Sequence, residues 1–307
     1  MEKNLESGWH FDLKVFIYTF LCYVPTVLVF GPVALYSGAL NVKEYAAVVF
    51  DPVFVIYSLV AFAAVPCLMY YLLSKKFYAY DGTPESARST NLFFKYWYTA
   101  NIALVIGFYV ILAFIIVGRA NQRGLTFHSF KTNNGSLFAW ISLLLGLAFC
   151  LCMFGFVNLL EKVDLAVTWL PFKKEYQTMS FSQKINTVIF LALVSVILMM
   201  DHLISVPANL EVGSKYLLIN KLTPFVLVFL VVNMLNMIIT INTASKSINA
   251  VKEYTDELSA RNYRVPALKV ISRCEVGELV NNINSFRVST KDIMSDMTDS
   301  AKSSSET

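Results

Sequence analysis

The chain has 307 residues, 56% of them hydrophobic and 15% charged, with a formal charge of +4 and a mean hydropathy of +0.57. That apolar share exceeds what soluble domains carry, so most of the chain belongs in a bilayer. The basic residues are scattered and form no stripe, which argues against a nucleic-acid partner.

The first residues, MEKNLESGWHFDLK, are polar and partly acidic, and no short apolar core with a cleavage site follows them; the first apolar run is expected to be retained. Runs long enough to cross about 30 Å of hydrocarbon follow at about 15–37, 46–73, 97–118, 137–160, 185–206 and 222–242. They predict an all-α membrane domain of six helices over residues 1–242. Pro25, Pro32, Pro52, Pro66 and Pro224 within them predict bends. Ten Lys and Arg flank the spans on the side of the N-terminus against six opposite; this places both termini in the cytoplasm of a multi-pass protein. The opposite loops are short, the longest being GRANQRGLTFHSFKTNNGS, and leave no room for an outer sensory domain.

Charges inside the runs are few. Asp51 stands in VVFDPVF of the second run, and Asp201 with His202 in ILMMDHLIS of the fifth, all toward the side opposite the termini. An intramembrane carboxylate is costly and is a functional candidate by default. The two Asp residues therefore share a polar ligand or proton pocket in one leaflet, lie close enough to the headgroups to be solvated, or make a structural hydrogen bond. Asn101, Asn158, Asn233 and Asn236 are read as bonds between helices. Cys150 and Cys152 point about 200° apart on a helix and are read as packing residues, so no metal is expected. No catalytic constellation or cofactor motif is present, and neither enzymatic activity nor a cofactor is expected.

After the last run come two amphipathic segments joined by a linker containing Pro266. Ala244, Ile248, Val251, Thr255 and Leu258 in the first, and Val276, Leu279, Ile283, Phe286, Thr290 and Ile293 in the second, alternate at four and three. This is a narrow coiled-coil seam that neither helix buries alone. Ser272 stands three before Glu275, the spacing of a capping box that starts the second helix early.

This tail resembles a HAMP domain, the dimeric linker module of bacterial membrane sensors, over residues 243–293. In CEVGELVNNINSF, Glu275, Gly277, Glu278, Leu279, Ile283, Asn284 and Phe286 occupy positions matching the family's Asp-Glu-Ile-Gly-Glu-Leu opening and the step after it. Cys274 replaces the usual capping Asp. Arg261-Asn262-Tyr263 stands where the family has Gly-Asp-Leu, and Asn262 is expected to supply the left-handed cap. Residues 294–307 resemble the start of the signalling helix of methyl-accepting chemotaxis proteins, and the chain is expected to be a fragment of a longer receptor.

The resemblance implies a homodimer through a parallel four-helix HAMP bundle, in contact with lipid in a bacterial cytoplasmic membrane. It would relay a stimulus read in or near the membrane to an output region that binds a chemotaxis kinase and a coupling protein. Two other readings stay open: the anchor and regulatory region of a class III adenylate cyclase, and a transporter.

Overall fold

A computed structural model describes residues 13–211, 213–270 and 272–305. Among them all regular structure is helical, and six helices are long and apolar enough to cross a membrane. Five are α1 (Leu13–Tyr36), α3 (Pro52–Tyr78), α4 (Pro84–Gln122), α5 (Asn134–Ala166) and α7 (Leu217–Ser259); the fifth span in chain order is α6 (Phe181–Ser205). A short α2 (Val42–Val49) connects α1 to α3, and α8 (Glu275–Ser305) ends the described chain.

The second apolar run is not one helix. At Asp51 the backbone turns extended, the carboxylate accepts the N–H groups of Val53 and Phe54, and Pro52 takes the first helical position. Asp51 thus caps α3 instead of lying inside a span, because a proline preceded by a capping acid starts a helix. Two further prolines leave their marks, whereas Pro32 lies within an unbroken helical stretch. A wide π turn at Val60–Ala64 precedes Pro66, and another at Leu217–Leu222 precedes Pro224, where the missing N–H disturbs the regular ladder.

A third π turn, at Ala148–Cys152 of α5, involves no proline. There Asn236 of α7 donates its amide to the Cys150 carbonyl at 2.9 Å. Asn233 reaches Ser195 of α6 at 3.0 Å, and Tyr23 of α1 donates to Asn101 of α4 at 2.6 Å. These three amides join helices as expected, whereas the bond of Asn158 is to Phe154 in its own helix. Cys150 and Cys152 are buried in the packing.

Helix α5 is the axis of the bundle: 61% of its most apolar window is buried, against 22–39% for the other five spans. Its Trp140 is fully enclosed, ringed by Phe30, Phe127 and Phe130. Gly155 of α5 lies directly under the backbone of Leu21 and Cys22, where α1 breaks before Pro25, so a Cβ there would collide with main chain. Helix α7 runs without interruption from the last apolar run to Ser259, so the expected boundary at 242 falls within one helix. The side chain of Ala244, expected in the seam, lies outside the described ones.

Replacing Gly155 by Ala should destabilise the bundle by about 1–3 kcal/mol through overpacking. The thermal midpoint of the purified protein, followed by far-UV circular dichroism, should fall; an unchanged midpoint would refute the contact between α1 and α5.

Candidate functional site

The linker between α7 and α8 is fixed at both ends. Helix α7 closes with Arg261 N–H on the Leu258 carbonyl and Asn262 N–H on that of Glu257, each at 3.0 Å. This is a Schellman closure, and its left-handed residue is Arg261 (φ 62°). The expectation for Asn262 is thereby corrected by one residue: the helix ends at Ser259, which puts Arg261 at the left-handed position. Asn262 lies one step on, and its amide holds Glu257 Oε2 at 2.7 Å. Further along, the Asn284 side chain of α8 grips Leu268 from both sides, accepting its N–H at 3.0 Å and donating to its carbonyl at 2.9 Å.

The linker then enters the membrane domain. Arg273 is buried at 2% exposure, between the rings of Phe94 on α4 and Phe172 in the loop before α6. Its guanidinium donates to Asn91 Oδ1 on α4, and its backbone N–H to Asp164 Oδ2 at the end of α5 (3.2 Å). Lys184 of α6 stands 3.8 Å from the same carboxylate. Asn91 also donates to the Pro171 carbonyl. Burial lowers the Arg273 pKa from its ordinary value and the Asp164 charge opposes that fall; the guanidinium itself is held by the Asn91 amide oxygen and two aromatic faces, and its Nε has no hydrogen-bond partner among the described residues. Three spans and the tail meet around Arg273 and Asp164.

Residues just beyond it complete the contact. The Glu275 carboxylate accepts the Phe181 N–H at 2.7 Å, capping α6 from outside. Glu278 pairs with Lys174 at 3.7 Å, and Asn281 donates to the Phe172 carbonyl at 2.8 Å. Gly277 sits against the Ser272 carbonyl and the Phe172 ring, so any Cβ there would push the linker away. Ser272 does not cap α8. The helix begins at Glu275, its first turn closes on the Cys274 carbonyl, and the Ser272 hydroxyl lies 3.1 Å from Cys274 Sγ. The turn of chain that carries Arg273 inward leaves Ser272 outside the helix. Leu279, Phe286 and Ile293 are exposed, as is Ile248 of α7, while Ile283 is half-buried.

Beside this junction, an elongated cavity of about 410 Å³ runs between α4, α5, α6 and α7. Apolar residues such as Ile102, Val105, Phe156 and Val188 line most of it, and Glu161, Asp164, Lys184, Lys246, Ser272 and Cys274 surround its tail end.

The polar residues of the far side have separate partners. Asp51 is bound by Arg119 at 3.1 Å and Arg123 at 2.9 Å. Asp201 accepts the Ser142 hydroxyl at 2.6 Å. The ring of buried His202 bonds the Ala139 carbonyl and the Ser37 hydroxyl, both at 2.9 Å. Among the described residues the two carboxylates have no common partner, and the His202 ring is bonded within the packing. Among the described residues no group of His, Cys, Asp and Glu is placed to hold a metal.

Sequence reasoning passed over Arg273, Asp164, Asn91 and Asn281. One signal was available: Asp164 is an acid just past an apolar run, and Arg273 is a lone cation between Ile271 and Val276 in a segment otherwise suited to burial.

Two outcomes follow from the junction. Glu275 is the pH-sensitive member: partial burial raises its pKa, but the Phe181 N–H and the nearby Lys184 charge outweigh it and hold the carboxyl below the usual range. A lowered folded pKa contributes stability above the unfolded value and loses it as pH falls through the folded one. Glu275→Gln should therefore lower the thermal midpoint at pH 7, by an amount equivalent to about 0.5 kcal/mol for an exposed helix cap. Parent and variant should converge in acid below the carboxylate range. Arg261→Gly should remove left-handed strain of about 1 kcal/mol, seen as greater hydrogen-exchange protection at residues 257–262. In comparisons with known proteins, no family model, no curated protein and no solved structure matches the chain.

Proposed function

We propose that the chain is the transmembrane transducer of a bacterial chemoreceptor, lying in the cytoplasmic membrane with both termini in the cytoplasm. Its six spans read a stimulus in or near the bilayer. The α7 and α8 segments act as a HAMP helix pair, and the region after them, in the full receptor, engages a chemotaxis kinase and its coupling protein. The observation that carries this reading is Arg273: a cation from the tail, buried among α4, α5 and the loop before α6, makes any rearrangement of those spans a displacement of α8.

The working unit in this reading is a homodimer. Leu279, Phe286 and Ile293 repeat every seven residues on α8 and are 47%, 61% and 59% exposed in the single chain, a stripe that a second copy covers in a parallel four-helix bundle. Thr255 is exposed and directs its hydroxyl to the Val251 carbonyl, so the seam is weakly packed there and two arrangements can lie within a few kcal/mol. Helix α8 stays helical and exposed through its last described turns, which supports a helical output over the globular domain of a cyclase.

Cysteine crosslinking in native membranes tests the dimer. Leu279→Cys and Phe286→Cys should each form disulfide-linked pairs, and Lys291→Cys, about 140° around the helix from Phe286, should not. Equal crosslinking at all three positions refutes the seam. Arg273→Met should leave the pairs intact but widen the distance between spin labels at the end of α5 and the start of α8; an unchanged distance refutes the relay.

A further inference from the structure

The cavity beside the junction is built unevenly. On α5 its lining runs from Ala148, in the π turn, to Leu165, about 25 Å of helix. Tyr98, Ile102, Val105 and Ile106 of α4 and Ile185, Val188 and Leu191 of α6 form the facing walls along the same direction. Its volume of about 410 Å³ lies within the usual range for small-molecule sites, about 300–1,000 Å³. An elongated apolar slot parallel to membrane helices has the shape of an alkyl chain.

Charge gathers at one end only. Glu161 pairs with Lys162 at 3.6 Å. Asp164 is met by Lys184 and by the Arg273 backbone, and Glu275 lies close enough to Lys184 to feel its charge. Counting Lys162, Lys184, Arg273 and Lys246 against Glu161, Asp164 and Glu275, one positive charge is left over. It is carried by Lys246, an exposed side chain in the cavity wall with no ion-pair or hydrogen-bond partner among the described residues. A slot that is apolar along its length and holds one unmatched cation at its mouth favours an anionic head.

We infer that this cavity binds an amphiphile with one alkyl chain and an anionic head group, the chain lying along α5 and the carboxylate or phosphate on Lys246. The wall places that head against both output helices, since Lys246 belongs to α7 and Ser272, Cys274 and Val276 to the entry of α8. Occupancy therefore sets the spacing of the two helices beside Arg273. That consequence rests on the transducer reading, whereas binding itself does not.

The probe is cis-parinaric acid, a fluorescent fatty acid, titrated into the full chain held in amphipol so that no bilayer competes for it. Saturable binding at one site per chain is expected, displaced by laurate and by dodecyl phosphate but not by dodecanol or dodecyltrimethylammonium. Lys246→Glu, an exposed substitution that leaves the fold intact, should weaken laurate by about tenfold or more, the loss of one charge-assisted hydrogen bond. Val157→Trp should block the slot, with circular dichroism confirming helix content.

Non-saturable binding, or binding indifferent to both substitutions, overturns the site. Displacement by dodecanol as well as laurate overturns the anionic head. Displacement by dioleoylphosphatidylglycerol alone overturns the single chain and assigns the slot to membrane phospholipid. Spin labels on Lys252 of α7 and Asn282 of α8 separate the two claims: laurate binding with no change in their distance refutes the transducer reading and leaves the binding site standing.

Discussion

A guanidinium taken out of water keeps its charge only where other groups replace the solvent. For Arg273 those groups are the Asn91 amide oxygen and Phe94 ring of α4 and the Phe172 ring of the loop before α6, with the Asp164 charge of α5 nearby, and the rest of the tail is arranged around that requirement. Asp164 must face the linker, Lys184 must balance Asp164, and Gly277 must let the Ser272 carbonyl pass close to the first turn of α8. Glu275, Glu278 and Asn281 then fasten that turn to the loop and to the start of α6.

The membrane domain has a corresponding constraint of its own. With little water to satisfy main-chain groups, each irregular turn needs a side chain or a neighbouring helix to complete it. Asn236 does this for the π turn of α5, and Asp51 for the start of α3. The far-side arginines then compensate the charge that the cap brings. Most of the polar residues that look functional in an apolar sequence are occupied in this way.

The six spans were legible in the sequence because apolar length is a signal that needs no partner. Of the residues whose spacing suggested a seam, Leu279, Phe286 and Ile293 are exposed, whereas Val251 and Leu258 of α7 are already buried within the single chain. Asp51 was misplaced because hydropathy averaging runs through a single Asp-Pro step, whereas the backbone stops there. Asn262 was assigned a cap through the resemblance and Ser272 through local spacing, yet capping depends on where the helix ends, and that is set by Arg261 and Cys274. Arg273 was passed over for a different reason: its partners lie 109 and 182 residues away, and one cation in a linker carries no periodicity. The pairing that matters most for the junction is far from local.

The unbroken course of α7 gives the molecule a mechanical character. At 1.5 Å per residue, Leu217–Ser259 forms a strut of about 65 Å, with its irregular turn at the beginning, Leu217–Leu222, far from the tail. A strut softened at its remote end and firm along the remainder behaves as a lever. A small tilt, pivoting where Asn233 and Asn236 hold it to the bundle, is carried in the opposite sense to Ser259 and enlarged there, the tail arm being about 35 Å against about 24 Å.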